Sequence, residues 1–377
     1  MSTNQTFSPA KLGNLTLTNH IVMAPMTRCR ALGGVPNELM AEYYRQRASA
    51  GLIITEGTSP AADGMGYARM PGLYNQEQVT NWQRVTETVH HHGGHIFVQL
   101  MHAGRIFHAH NLPEGAQGVA PSAIVAAGQM WTDQAQMQDH STPRALQTEE
   151  LGRVRDEFVH SARLAIEAGF DGVELHGANG YLLEQFLSPH SNQRTDEYGG
   201  SVQNRARFVL EVAQAVAEAI GAERTGIRLS PWGVASDMPH YPEIDETYAY
   251  LAEELQKLNL VYVHLVDHSS MGAPAVPAET VATFRAKFTN TLILAGGYNT
   301  VAAIDGALNG QADLVAIGRP FLANPDLVER LQTGAALAQP DFATFYAPGP
   351  NGFADGYTDY PTANGQPAGT FAPDYQA

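Results

Sequence analysis

The chain has 377 residues, of which 44% are hydrophobic, and it carries a formal net charge of −16. This charge repels phosphate backbones and anionic lipid surfaces, which argues against a nucleic-acid-binding or membrane-surface protein. The single cysteine, Cys29, cannot form an intrachain disulfide, a thiolate zinc site or an iron–sulfur cluster within one chain.

The N-terminal segment lacks a basic start followed by an apolar block, so it does not resemble a signal peptide. No uncharged apolar run reaches the ~18 to 20 residues that cross a bilayer. We therefore expect a cytoplasmic protein without a membrane partner.

The first predicted element is a small hairpin around Gly13-Asn14, which we expect to close a barrel floor. Eight apolar runs follow, and none alternates strictly, as expected of strands that are covered on both faces. These runs are 21–27, 51–58, 95–104, 172–178, 225–231, 260–267, 291–299 and 314–320.

Helical patterns separate most of these strands. The clearest begins at Thr148, a plausible N-cap, repeats apolar residues at Val154 and Phe158, and stops at Gly169. Another runs from about 204 to 220. Eight strands that alternate with helices predict an α/β fold, a (β/α)8 TIM barrel.

Two segments depart from a bare barrel. Residues 105–147 are too long for an ordinary loop, and we expect a capping excursion over the end of the third strand. We expect residues 1–361 to form a single domain and residues 362–377 to form a flexible tail.

The carboxyl ends of the strands carry ligands in barrels of this type. Strands seven and eight end in Gly296-Gly297 and Gly318-Arg319, where backbone N–H groups and a cation favour a phosphate. Glycine-rich turns of this kind also occur as plain tight turns.

Other strand ends offer groups that suit a ring with amide-like edges. Gln99 has both a donor and an acceptor, and Arg228 can stabilise negative charge on such a ring. Either side chain has a purely structural alternative, in a barrel hydrogen bond or an ion pair. The further strand-end residues are Ala24, Pro25, Met26, Thr27 and Gly57.

The stretch "ELHGANGYLLEQFLSP" sets His176, Asn179 and Tyr181 directly after the fourth strand, with Gly177 and Gly180 between them. A lone histidine at a strand end is commonly structural, but this spacing places three polar groups on one turn. The stretch therefore predicts an active-site loop.

These residues also carry a family resemblance. The blocks "MAPMTR", "QRASAGLIITEGT", "ELHGANGYLLEQFLSPHSNQRTDEYGGSVQNRARF", "GIRLSP" and "AIGRP" closely resemble the Old Yellow Enzyme family of FMN-dependent ene-reductases. The match runs from about residue 6 to 361, and its central block is long enough to be specific.

The resemblance implies FMN as cofactor, NADPH or NADH as reductant, and small activated alkenes as substrates of a monomer or homodimer. It implies that His176 and Asn179 hold the substrate oxygen and that Tyr181 gives a proton to the α-carbon. Thr27, Gln99, Arg228 and Arg319 correspond to residues that contact flavin O4, its N3–O2 edge, its N1 side and its phosphate. Tyr67, Met101 and Tyr346 correspond to positions that line the substrate pocket.

Some positions depart from parts of the family. Thr27 stands where one subgroup has a cysteine, so the chain resembles the Thr-bearing subgroup. Asn179 replaces a second histidine, and Met101 stands where many members have a tryptophan, which enlarges or softens the pocket.

Other functions stay open at the level of the residues. The same site would serve a nitrate-ester or nitroaromatic reductase, and a flavin-binding protein without catalysis is a further alternative. A metal-assisted lyase or aldolase would use His176 with neighbouring carboxylates. The histidine-rich segment 89–95 suggests a metal, but its side chains point in different directions at a helix end, so we expect no metal site.

Overall fold

The structure is a computed structural model that describes residues 5–365. Its strands, in chain order, are β1 (Ala10–Leu12), β2 (Leu15–Leu17), β3 (Ile21–Met23), β4 (Leu52–Thr58), β5 (Ile96–Leu100), β6 (Val119–Ala120), β7 (Gln129–Thr132), β8 (Gln136–Asp139), β9 (Arg144–Ala145), β10 (Gly172–Gly177), β11 (Thr225–Leu229), β12 (Tyr262–Val266), β13 (Thr291–Ala295) and β14 (Leu314–Ile317).

The helices lie mostly between the longer strands. They are α1 (Glu38–Arg45), α2 (Gln76–His91), α3 (Thr148–Glu167), α4 (Leu182–Leu187), α5 (Val202–Ile220), α6 (Ile244–Lys257), α7 (Ala278–Lys287), α8 (Val301–Leu308), α9 (Arg319–Ala323) and α10 (Leu327–Thr333). Short 3-10 turns occur at Gln5–Phe7, Leu32–Gly34, Ala62–Gly64, Ala109–Asn111, Ala222–Arg224, Ser269–Met271 and Phe342–Thr344.

Eight parallel strands close into a barrel in the order β3, β4, β5, β10, β11, β12, β13 and β14, with β14 pairing β3. This confirms the predicted (β/α)8 barrel. Except for β4, which ends with its run at Thr58, the strands end earlier than the apolar runs do, because the last residues of these runs leave the hydrogen-bonded ladder. Those residues are free to line a cavity at the carboxyl ends.

The hydrophobic core has two layers, as expected of strands buried on both faces. An outer layer packs α1, α2, α3, α5 and α6 against the strands. An inner cluster fills the barrel and includes Leu12 and Leu17 of the β1–β2 hairpin. The hairpin therefore closes the amino-terminal end of the barrel, as predicted.

Helix α3 begins one residue away from the predicted position. Thr148 is its first helical residue, and Gln147 is the N-cap, with the Gln147 N–H donating to Glu150 Oε2 at 2.8 Å. The Thr148 hydroxyl donates instead to Asp196 Oδ2 at 2.6 Å. The N-cap prediction for Thr148 was wrong, because this distant carboxylate takes its hydroxyl.

The excursion 105–147 contains an antiparallel hairpin, β7–β8, and a two-residue parallel pair, β6–β9. Its side chains Ile106 and Met130 pack in one cluster with Met101 and Tyr181. The excursion thus covers the cavity wall on the side where β5 and β10 end.

The segment after α10 is fixed to the barrel by three buried arginines. Arg28 donates to the carbonyls of Phe345 and Gly356, and Arg30 donates to the carbonyl of Thr344. Arg47 donates to the Tyr357 carbonyl of this segment at 3.5 Å, and to the Phe321 and Leu322 carbonyls of α9 at 2.8 Å each. Residues 366–377, and with them most of the expected flexible tail, lie outside the described residues.

Candidate active site

A cavity of about 740 Å³ opens at the carboxyl ends of the barrel strands. It collects nearly all the site residues that the sequence indicated. Those that line it are Ala24, Pro25, Met26, Thr27, Gly57, Gln99, Met101, His176, Asn179, Tyr181, Arg228, Gly296, Gly297, Gly318, Arg319 and Tyr346. Tyr67 does not line the cavity and lies behind Tyr181 instead.

The turn after β10 explains how one short stretch presents three polar groups. His176 is in the strand and pairs in register with Arg228 of β11. The chain then turns through Asn179 at φ 60° and Gly180 at φ 79°, both in the left-handed region. Gly177 has another role: a Cβ there would lie 3.1 Å from the Arg228 carbonyl oxygen, so this glycine permits close strand packing rather than the turn.

A buried carboxylate, Glu184, supports this turn from behind. Its Oε2 accepts from the Gly180 N–H at 2.5 Å, and its Oε1 accepts from Ser230 Oγ at 2.6 Å. Ser230 Oγ in turn accepts from the Asn179 N–H at 2.9 Å, and Tyr248 also donates to Glu184. This network holds Asn179 in a backbone conformation that residues other than glycine seldom adopt.

On the side of the cavity formed by β10, β11 and the turn after β10, three buried polar atoms have no hydrogen-bond partner within residues 5–365. They are His176 Nδ1, Asn179 Oδ1 and Arg228 Nε. Buried polar groups in native proteins are nearly always paired, and an unpaired group costs about 1–3 kcal/mol. Unpaired groups that converge on one cavity therefore indicate a ligand that supplies the missing partners.

His176 is 3% exposed, and it pairs in register with Arg228 on the neighbouring strand. Burial, and secondarily the positive charge of Arg228, hold the pKa of His176 well below its usual range. At neutral pH this imidazole is uncharged, so it offers one N–H donor and one acceptor nitrogen. Asn179 has no partner for its amide oxygen and can present either end of the amide.

Tyr181 adds a hydroxyl to the same face of the cavity. Its ring lies 5.0 Å from the His176 ring, and its hydroxyl is 2.8 Å from that of Tyr67. Burial raises the pKa of Tyr181 to about 12, with the Tyr67 hydrogen bond opposing the shift. Tyr181 is therefore protonated at neutral pH, and when Tyr67 donates to it, its own proton is free to enter the cavity.

The far end of the cavity is lined by backbone and one cation. Gly296 has φ 152° and Gly297 has φ 74°, and a Cβ on Gly296 would lie 2.9 Å from Asp267 Cβ. Arg319 follows Gly318 and its guanidinium carbon lies 5.6 Å from the Phe342 ring centroid. The predicted glycines and the predicted arginine thus meet at one end, as a phosphate site requires.

Several lining residues were missed by the sequence analysis. His268 and Asp267 directly follow β12, the sixth barrel strand, so their position at a strand end is the sequence signal that marks them. Burial, and then Arg228, lower the pKa of His268 to about 4. Phe342 and Phe345 come from the segment after α10, and no local signal placed them at the cavity.

Met101 is 1% exposed and forms part of the cavity wall. It packs against Gly57, where an added Cβ would lie 2.5 Å from the Met101 sulfur. Met65, Met70 and Met130 belong to the same cluster. Unbranched thioether side chains fill irregular space and yield to it, so this wall is soft.

The histidine-rich helix end has carboxylate partners rather than a metal geometry. His90 Nε2 lies 3.0 Å and His95 Nδ1 lies 3.7 Å from Asp171 Oδ2. Among residues 5–365, no group of three or more His, Cys, Asp or Glu side chains is placed to hold a metal ion. In the same part of the chain, every helix is too short or too polar to span a membrane.

Comparison with protein families gives one match that covers most of the chain. Residues 5–338 match the NADH:flavin oxidoreductase / NADH oxidase family. The 12-oxophytodienoate reductase 7 of Oryza sativa subsp. japonica is 39% identical over 389 residues, covering 96% of this chain and 95% of that protein.

Solved structures give the same result. Morphinone reductase in complex with tetrahydroNAD is 43% identical and superposes with a TM-score of 0.88; the superposition covers 95% of this chain and 97% of the other. The old yellow enzyme homologue from Zymomonas mobilis is 39% identical and superposes with a TM-score of 0.89; here the superposition covers 95% of this chain and 99% of the other.

Proposed function

The chain belongs to the NADH:flavin oxidoreductase / NADH oxidase family, and on that premise we propose how its cavity acts on a substrate. It is an FMN-dependent oxidoreductase of the ene-reductase type with NAD(P)H as reductant, and the resemblance to the Old Yellow Enzyme family is confirmed. We propose that its substrates are α,β-unsaturated aldehydes, ketones, maleimides or nitroalkenes.

The residues at the cavity fit FMN. Arg319 and the backbone of Gly296 and Gly297 would hold the phosphate, and the unpartnered Arg228 Nε and the carboxamide of Gln99 would hold the ring. Ala24, Pro25, Met26, Thr27, Gly57 and Gly318 would complete the flavin site. When bound and reduced by NAD(P)H, FMN would supply the hydride for the β-carbon of the alkene.

The observation that carries the proposal is the pair of unpartnered polar groups, His176 and Asn179, beside the Tyr181 hydroxyl. We propose that an N–H of each side chain donates to the carbonyl or nitro oxygen of the substrate. His176 is buried and Asn179 is half-buried, and the strand end and the turn hold both in place, so their N–H groups stabilise the negative charge that develops on this oxygen. The uncharged state of His176 suits this task, because the imidazole donates without adding a fixed positive charge.

Tyr181 then completes the reduction by giving its proton to the α-carbon. Its raised pKa keeps the hydroxyl protonated at neutral pH. Tyr67 contacts the Tyr181 hydroxyl at 2.8 Å, so we propose that it orients this hydroxyl and stabilises the phenolate left after transfer. In this role Tyr67 acts through Tyr181 rather than as part of the cavity wall.

Nicotinamide and alkene would both occupy the side of the cavity that His176, Asn179 and Tyr181 line. They must then bind in turn, which gives ping-pong turnover. Met101 and Tyr346, on the wall and at the mouth, would contact the remainder of the substrate. That the chain belongs to the Thr-bearing subgroup, because of Thr27, stays a prediction.

We further propose a cytoplasmic enzyme that works as a monomer or homodimer and has no nucleic-acid partner. The net charge of −16 supports the last part of this proposal. Its family acts on small molecules, and the volume of the cavity, about 740 Å³, is consistent with substrates of that size.

The test is a stepwise anaerobic titration of the purified chain. The protein should be yellow, lose this colour with NADH or NADPH, and regain it with a cyclic enone while the saturated ketone forms. A chain that stays colourless with FMN in excess would contradict the proposal, and so would a reduced protein that no activated alkene reoxidises.

A further inference from the structure

Beneath the cavity floor, the barrel interior contains a carboxylate with three donors. Glu174, two residues before His176 on β10, is fully buried. Its Oε1 accepts from Gln99 Nε2 at 2.8 Å. Its Oε2 accepts from His264 Nδ1 at 2.9 Å and from the Tyr262 hydroxyl at 3.1 Å.

The strand register makes this cluster possible. Glu174 pairs with Gln99 across β5 and β10, and with Gly226 across β10 and β11. A Cβ on Gly226 would lie 2.4 Å from Tyr262 Cζ, so the missing side chain is the space through which the Tyr262 ring reaches Glu174. The cluster is thus a built part of the barrel rather than a chance contact.

The charges in the cluster are well defined. Burial lowers the pKa of His264, against the opposing effect of Glu174, so the imidazole is uncharged and carries its proton on Nδ1 in this contact. Arg228 is the buried cation of the cavity floor, and Glu174 is the largest opposing charge acting on it. Glu174 therefore interacts with Gln99 through a hydrogen bond and with Arg228 through its charge.

We propose that Glu174 is a positioning residue for FMN, because its carboxylate fixes which end of the Gln99 carboxamide faces the cavity. A carboxylate accepts hydrogen bonds and does not donate, so the nitrogen of Gln99 must turn towards it. The carbonyl oxygen and one N–H of Gln99 then remain for the pyrimidine edge of the flavin. This inference rests on the proposed placement of FMN at Gln99.

Two measurable effects follow. Without the carboxylate, the Gln99 amide adopts both orientations and loses part of its affinity for FMN. Glu174 also places a negative charge below a ring that gains negative charge on reduction, and like charges oppose each other. Removal of this charge should therefore shift the midpoint potential of bound FMN to more positive values.

The test is Glu174→Gln, which keeps shape and hydrogen bonding but removes the acceptor-only character. We expect the dissociation constant of oxidised FMN, measured by flavin fluorescence, to rise about ten-fold, and the midpoint potential to become more positive. In a Gln99→Ala background the same change should leave FMN affinity within two-fold of that of Gln99→Ala alone, because Glu174 acts on FMN affinity through the Gln99 carboxamide.

A second variant covers the case in which Glu174→Gln does not fold. Tyr262→Phe keeps the ring but removes one donor to Glu174, and should weaken FMN binding about three-fold. Its matched control is Tyr248→Phe, which removes one donor to a different buried carboxylate, Glu184, and should not change FMN affinity.

The outcomes separate this inference from the proposed function. A wild-type chain without FMN affinity would refute the proposed function. A wild-type chain that binds FMN, with Glu174→Gln equal to it in both affinity and midpoint potential, would overturn the inference alone. An affinity loss of the same size in the Gln99→Ala background, or an unchanged affinity in Tyr262→Phe if Glu174→Gln does not fold, would overturn it too.

Discussion

At the scale of single residues, the cavity is defined by side chains whose polar atoms are buried without partners. His176 and Asn179 are held by a strand end and a left-handed turn, and the Glu184 network keeps that turn in place. Tyr181 differs from them, because its hydroxyl already has a partner in Tyr67. This difference suits a division between groups that hold an oxygen and a group that moves a proton.

Tyr181→Phe should separate the two half-reactions. General acid catalysis contributes about 10²–10⁴-fold to a rate, so the alkene half-reaction should slow by about that factor. Reduction of the flavin by NAD(P)H needs no proton from Tyr181 and should persist. Stopped-flow absorbance of the flavin measures both steps.

Tyr67→Phe is the matched control for that experiment. It retains Tyr181 and removes only the hydroxyl partner, so its alkene half-reaction should slow by less than ten-fold. Unchanged formation of the saturated product in Tyr181→Phe would show that the proton comes from elsewhere. Reduction of a nitrate ester would stay fast in Tyr181→Phe if only the oxygen-binding pair were needed.

Glu184 should make the stability of the protein depend on pH. Burial raises its pKa from 4.5 to about 7, with the Ser230 hydrogen bond the largest opposing effect. Because the folded pKa is above the unfolded one, this stabilisation is present below pH 4.5 and is lost as pH rises through 7. One pKa unit corresponds to about 1.4 kcal/mol, so a loss of about 3 kcal/mol is expected over this window.

Urea unfolding at several pH values between 4.5 and 7.5 measures this effect. Glu184→Gln should flatten the dependence relative to the wild type, although buried Glu56, with its pKa also raised to about 7, adds a parallel slope that remains. Glu149→Gln, at an exposed helix position, should follow the wild type. Equal slopes in Glu184→Gln and wild type would contradict the assignment.

At the scale of elements, three neighbouring strands determine the polar interior of the barrel. β10, β11 and β12 place His176 next to Arg228 and Arg228 next to His264 by register. A one-residue slip of any strand would turn these side chains from the interior to the outer face. The excursion then packs against the cavity-lining residues Met101 and Tyr181 through Met130, and the segment after α10 lines the cavity through Phe345.

Gly226→Ala tests the packing of these strands. The added methyl would lie 2.4 Å from the Tyr262 ring, and overpacking of a core costs about 1–3 kcal/mol. We expect urea unfolding to show a loss of that size, with weaker FMN binding because Tyr262 is displaced from Glu174.

The control for that change is Gly152→Ala in α3, where no atom lies within 4 Å of the added methyl. Alanine lowers the entropy of the unfolded chain, so this variant should be more stable by about 0.4–1 kcal/mol. A Gly226→Ala protein as stable as the wild type would mean that the barrel interior is more yielding than its packing indicates.

At the scale of the whole molecule, the ligand completes the fold. The cavity spans the carboxyl ends of the barrel, and the unpartnered atoms of His176, Arg228 and Asn179 come from two different strands and one turn. A ligand that pairs them links these elements to one another. Stability should therefore depend on cofactor concentration as well as on the chain.

FMN should raise the free energy of unfolding by about 2.7 kcal/mol at 100 times its dissociation constant. The rise in Tm with FMN concentration, measured by circular dichroism on the cofactor-free protein, checks this. Riboflavin, which lacks the phosphate, should stabilise less, and Arg319→Ala should reduce the advantage of FMN over riboflavin. Lys257→Ala, at an exposed site away from the cavity, should leave the advantage of FMN over riboflavin unchanged. If the two flavins stabilised the wild type equally, the proposed phosphate site would be wrong.

The sequence by itself determined the barrel and many of the strand-end residues that line the cavity. Apolar runs with intervening helical periodicity define the strands locally, and in a parallel barrel every strand end lies at the same face, so Gln99, Arg228 and Arg319 could be placed from chain position alone. The tertiary structure decided that Tyr67 lies behind Tyr181, that Phe345 reaches the cavity, and that Glu174 faces Gln99. These depend on contacts between residues far apart in the chain, whose energies leave no pattern in the local sequence.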